Sequence, residues 1–107
     1  MILNAIVDGR SISIDVPQDI LQNGEDFFKK MDSDMDQGWQ MSREWIDNPT
    51  VTHRCQIAAD KMLTAMNNEN KTLLTLMAGY ILTRLPYIKC VNINTDGDML
   101  ETEIVVE

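Results

Sequence analysis

Two cysteines, one histidine, nine basic residues and no long apolar run set the first limits on this chain of 107 residues. Cys55 and Cys90 are too few to staple a disulfide scaffold. The opening MILNAIVDGR has neither the basic start nor the small-residue cleavage site of a secretory signal. The chain therefore reads as cytoplasmic, with reduced thiols. The longest uncharged run, Thr72 to Thr83, falls short of the roughly 20 apolar residues that cross a bilayer, so no membrane contact is expected. With His53 the only imidazole, a Cys–His or Ser–His nucleophile pair would need a partner brought from elsewhere in the fold. Glycines are scattered singly, and no glycine-rich phosphate loop is present.

Basic residues are outnumbered by 17 acidic ones, for a net charge of −8. A phosphate backbone or anionic bilayer would be repelled, so no nucleic-acid partner is expected. The acidic excess serves solubility, or in a sharper reading mimics DNA before a basic partner.

What is present is ordinary globular composition, 44% hydrophobic and 24% charged, consistent with one α+β domain over residues 1–107. Both ends carry strand signals. MILNAIV and RSISIDV flank Asp8-Gly9, a pair suited to a tight hairpin loop because both positions take positive φ. That loop pairs Leu3 with Ile14 and Ala5 with Ile12 on an apolar face, and Asn4 with Ser13 and Ile6 with Ser11 on the other. YIKCVNINT and DMLETEIVV flank Asp96-Gly97 in the same manner. There a two-residue loop pairs Ile93 with Leu100, Val91 with Thr102, Lys89 with Ile104 and Tyr87 with Val106. The opposite face holds Asn92 with Glu101 and Cys90 with Glu103. Lys89 is a misfit on its apolar face.

Between the hairpins the period becomes helical. Phe27, Phe28, Met31, Met35, Trp39, Trp45 and Ile46 fall on one side of a helix from Glu25 to Asp47, with Asn23 as N-cap and Pro49 beyond its end. A second helix starts at Asn48-Pro49 and carries Val51, Cys55, Ala58, Met62, Ala65 and Met66 on its stripe, ending near Asn67 to Asn70. A third runs from Lys71 to Leu85, apolar on most sides, with a strip of small residues at Thr72, Thr75, Gly79 and Thr83. The expected architecture is a four-stranded antiparallel sheet from the two hairpins, with three central helices on one face, in the order ββαααββ.

No motif carries specific chemistry. DSDMDQG at Asp32 to Gly38 resembles an EF-hand loop only loosely, because Gly38 and Glu44 each arrive one position late. On a helix, Asp32 and Asp36 lie one turn apart and are weak candidates for a metal. As a solvated face they would tolerate conversion to asparagine with little change in stability. Eight methionines with His53, Cys55 and Cys90 supply soft copper ligands that do not converge, since the methionines sit at core spacing. No catalytic residue and no cofactor are assigned.

By elimination the sequence points to a small non-catalytic binding or regulatory protein acting through protein–protein contacts, with another protein or a second copy of itself as partner. The alternative is an enzyme or metal-binding protein whose site is assembled from distant residues. Met41, Ile57 and Leu82 stand off the core arcs of the three helices, and with Thr75, Gly79 and Thr83 they form the candidate partner-binding set. A homodimer closing on the small-residue strip of the third helix is the most specific form of this expectation.

Overall fold

The alternating strands around Asp8-Gly9 fold as they read. In a computed structural model describing Met1–Glu107, β1 (Ile2–Val7) and β2 (Arg10–Asp15) pair in the expected register, Leu3 with Ile14 and Ala5 with Ile12. Asp8 and Gly9 both take positive φ, 52° and 77°, as the loop requires. Leu3, Ala5, Ile14 and Val16 are buried, so one face of the hairpin meets the helices and the other stays open.

The chain then adds a short helix α1 (Gln18–Asn23), to which the sequence pattern assigns nothing, and α2 (Glu25–Met35). Asn23 is the last residue of α1 rather than an N-cap, and its amide donates to Asp19. The expected helix to Asp47 stops twelve residues early. Gly38 turns the backbone to a φ of 101°, and a hairpin follows, β3 (Trp39–Met41) with β4 (Glu44–Ile46), pairing Trp39 with Ile46 and Met41 with Glu44. The ring of Trp45 lies over Gly38 so closely that a Cβ there would sit 2.5 Å from Cζ2. Trp39, Met41 and Ile46 therefore share one face across a tight turn, with Trp45 opposite Gln40 on the other, whereas Trp39, Trp45 and Ile46 also fit a broad helical arc. Ser42 supplies the positive φ of that turn. Gly38→Ala is expected to cost about 1–3 kcal/mol, from an unfavourable φ and from displacement of the indole. A melting curve with Trp fluorescence checks this, and an unshifted emission with an unchanged midpoint would refute the packing.

Helix α3 (Val51–Asn67) is capped by Thr50 rather than Asn48. The Thr50 hydroxyl accepts from the His53 amide, and the Thr50 amide donates to His53 Nδ1, a reciprocal box that satisfies two free donors. Asn48 instead adopts a φ of 51° before Pro49. Helix α4 (Lys71–Arg84) follows, capped by Asn70.

The last two strands, β5 (Ile88–Ile93) and β6 (Glu103–Val106), pair antiparallel, but two residues out of the expected register. Val91 meets Ile104 rather than Thr102, and Cys90 meets Val105 rather than Glu103. Asp96-Gly97 is not a two-residue loop. Asn94 Oδ1 accepts from the amides of Asp96 and Asp98, and Asp98 Oδ1 from the Leu100 amide at the 3₁₀ turn Met99–Glu101. These local side-chain bonds compete with ladder pairing. Gln56 of α3 holds the result in place by donating to the carbonyls of Leu100 and Thr102. A shift of two preserves which face each residue occupies, and Lys89 falls at the irregularity between Ile88 and Cys90, which resolves its misfit.

The class is α+β, with a sheet of order β2-β1-β5-β6. The sheet is mixed rather than wholly antiparallel, because the hairpins join through their first strands, with Ala5 beside Val91 in a parallel pair. Three longer helices and the short α1 stand in place of the expected three. One core cluster joins the inner sheet face, α3 and α4 with Phe28, Met35 and Met41. No helix is long and apolar enough to cross a membrane.

Candidate functional site

Charged side chains meet under the crossing of α2, α3 and α4. Asp32, on the last turns of α2, accepts from the Tyr80 hydroxyl at 2.5 Å and from Arg84 Nε and Nη2 at 3.1 and 2.7 Å. Arg54 reaches it from α3 at 3.4 Å and bonds Asp36 at 2.7 Å and the Pro49 carbonyl at 2.9 Å. Arg84 also grips Glu25, at 3.2 and 3.3 Å, and its guanidinium lies 5.0 Å from the Tyr80 ring centre. Of the weak metal candidates, Asp32 thus faces two arginines from distant helices and Asp36 one of them.

Partial burial opposes ionisation of Asp32, but hydrogen bonds from Tyr80, Arg84 and Arg54 outweigh it and hold the carboxyl below its ordinary range. Burial, with the Asp32 carboxylate beside it, pushes the Tyr80 phenol well up. Burial raises the Cys55 thiol to about 12, with the nearby charge of Asp32 adding to it. At neutral pH the carboxylate is saturated with donors, and the phenol and thiol keep their protons. Such a set clamps three helices together and offers no poised base or nucleophile. His53 is occupied in the α3 cap, and Cys90 lies on the sheet opposite Val105.

The candidate partner-binding set does not gather on the surface. Met41, Ile57 and Leu82 are buried within the monomer, so their expected displacement from the core is corrected, and Gly79 of the small-residue strip is buried too. Met41 belongs to β3, where strand geometry turns it inward. Gly79 is closed over by Phe28, Ile20 and Val16, whose nearest atoms would lie 3.2, 3.3 and 3.5 Å from a Cβ. Thr75 and Thr83 are half-buried and bond carbonyls of their own helix, at Lys71 and Tyr80.

Exposed apolar residues collect elsewhere. Five of the eight large exposed hydrophobics, Met1, Ile2, Tyr87, Val105 and Val106, lie at one end of the sheet, where β1 and β5 begin and β6 ends. Tyr87 is 74% exposed and Val106 53%. The pair Val105-Val106, which breaks strand alternation, and Tyr87 just after Pro86 were the signals in the sequence that could have marked this end.

The sheet's other end is acidic. An open hollow of about 710 Å³ between the β3–β4 turn and the loop before β6 is lined by Glu44, Asp96, Asp98 and Glu101 around the single cation Arg43. Ser42 Oγ joins its two walls, donating to Asp98 Oδ1 at 2.7 Å and accepting from the Met99 amide at 3.1 Å. A smaller hollow shares Asp96 and Glu101 and adds Asp8 and Glu103. No three acidic, histidine or cysteine side chains group closely enough to hold a metal ion. Comparison of the chain with protein-family models, curated proteins and solved structures gave no match.

Proposed function

We propose that the chain is a small non-catalytic binding or regulatory protein that acts through protein–protein contacts. The observation that carries this reading is the apolar end of the sheet, where Ile2, Tyr87, Val105 and Val106 are exposed together. Grouped apolar surface on a small domain marks an interaction site, whereas isolated exposed residues need no explanation. The charged cluster beneath α2, α3 and α4 supports the same reading, because its groups are committed to one another. A partner here is a different protein. Gly79, at the centre of the strip on α4 that favoured a homodimer, is covered by Phe28, Ile20 and Val16.

The test uses the double variant Tyr87→Asp, Val106→Asp. Both side chains are exposed, so its melting midpoint should stay close to the parent's. In quantitative affinity capture from the cells that make this protein, at least one partner should be retained by the parent and depleted tenfold or more on the variant. If everything captured is held equally by both, the apolar end is not the binding surface and the reading fails.

A further inference from the structure

We propose that β6 is the docking edge, and that the partner adds to it an extended, positively charged segment as a fifth strand. This rests on the binding reading above and names the partner's chemistry. In the order β2-β1-β5-β6, β6 pairs only with β5. A strand presents alternate backbone donors and acceptors to each side, so the free side of an edge strand is a template for another chain. The opposite edge is guarded differently. On β2 the exposed residues are Arg10, Ser11, Ser13 and Asp15, whereas β6 exposes Val105 and Val106 beside Glu103.

Charge selects the occupant. Glu103, Val105 and Glu107 alternate along β6 and its continuation, where the Glu107 amide still bonds the Tyr87 carbonyl at 3.1 Å. Glu103 also borders the acidic surface that runs on through Glu101 and Asp96 to Asp8. Directly opposed cross-strand residues attract when their charges are opposite and repel when they are alike. A strand carrying basic side chains opposite Glu103 and Glu107, with an apolar one between them to meet Val105, answers this pattern. A second copy does not. Antiparallel self-pairing centred on Val105 would set Glu103 of each copy against Glu107 of the other, between molecules that each carry a net charge of −8.

The experiment titrates the full isotopically labelled chain with synthetic peptides of alternating lysine and valine, followed by NMR. Three peptides are compared: the basic one, its glutamate-for-lysine counterpart, and the basic one N-methylated at every second amide. The basic peptide should shift the amides of Glu103 to Val106 and slow hydrogen exchange at least tenfold at Ile104 and Val106. Those two amides alternate with the Glu107 amide bonded to Tyr87 and so face the free side. The acidic peptide should not bind, and N-methylation should weaken binding at least tenfold, because it removes ladder bonds while leaving the charge. Equal binding of the methylated peptide, shifts centred on Asp96 and Asp98 that spare β6, or no binding of the basic peptide would overturn the proposal. Those failures leave the binding function standing if capture still depends on Tyr87 and Val106. Loss of that dependence defeats the functional reading whatever the peptides do.

Discussion

Asp32→Ala is expected to lower the folding stability by about 2–4 kcal/mol, measured by urea denaturation. Breaking a buried ion pair on one side costs about 3–5 kcal/mol because the other charge is left stranded. The Asp32 side chain is 29% exposed, which reduces that figure. What would lose a partner is considerable: Arg84 and Arg54, with side chains 18% and 13% exposed and only Glu25 and Asp36 left as counter-charges, and the Tyr80 hydroxyl. Asp36→Asn should behave differently. Its side chain is 62% exposed and holds only Arg54, so a loss below about 1 kcal/mol is expected. The sequence alone treats the two aspartates as equivalent and dispensable, and the network separates them.

The same residue predicts a pH dependence. Its carboxyl is held below the ordinary range in the folded state. Asp32 therefore contributes stability that is present above the unfolded carboxylate value, about 3.9, and is lost as pH falls through the lower folded value. Stability of the parent should decline on that acid limb, and Asp32→Asn should flatten it. Equal slopes for parent and variant would mean that Asp32 is not the titrating clamp.

Gly79→Leu is expected to give a destabilised or aggregated chain, with a loss of about 3 kcal/mol or more, because the site lies at a closed helix contact. Even a Cβ at Gly79 meets Phe28 and Ile20 at 3.2 and 3.3 Å, and leucine adds further carbons in the same space. A domain whose stability is of the order of 5–15 kcal/mol loses a large share of it. Gly79→Ala should change stability by less than about 1 kcal/mol, since better helix propensity offsets the tight contact. Light scattering on the parent at tens of micromolar should return the 12.2 kDa monomer. A dimeric parent that Gly79→Leu converts into a folded monomer would show instead that the strip is an interface.

These expectations depend unequally on what could be read along the chain. The N-terminal hairpin was legible down to its register, because Asp8-Gly9 and the strands beside it specify one another within fifteen residues. Helices α3 and α4 were legible for a similar reason: apolar spacing and the Pro49 and Pro86 boundaries are local. The segment after Met35 was not, since Trp39, Trp45 and Ile46 fit a helical arc as well as the hairpin. What decides between them is the ring of Trp45 over Gly38 and the burial of Met41.

The sequence by itself determined the α+β class, the first hairpin, the two long central helices and the acidic character, all of which follow from side-chain periodicity, turn chemistry and charge. Only the tertiary structure decided that β1 and β5 lie parallel, that the last hairpin slips by two residues, and that Asp32 serves Arg54 and Arg84, 22 and 52 residues away. It also decided which apolar residues stay outside: Met41, Ile57 and Leu82 went in, while Tyr87, Val105 and Val106 remained exposed. Spacing specifies which side chains share a face of their own element. Which face another element covers is set by contacts between segments remote in the chain, through packing and hydrogen bonds that no local window contains.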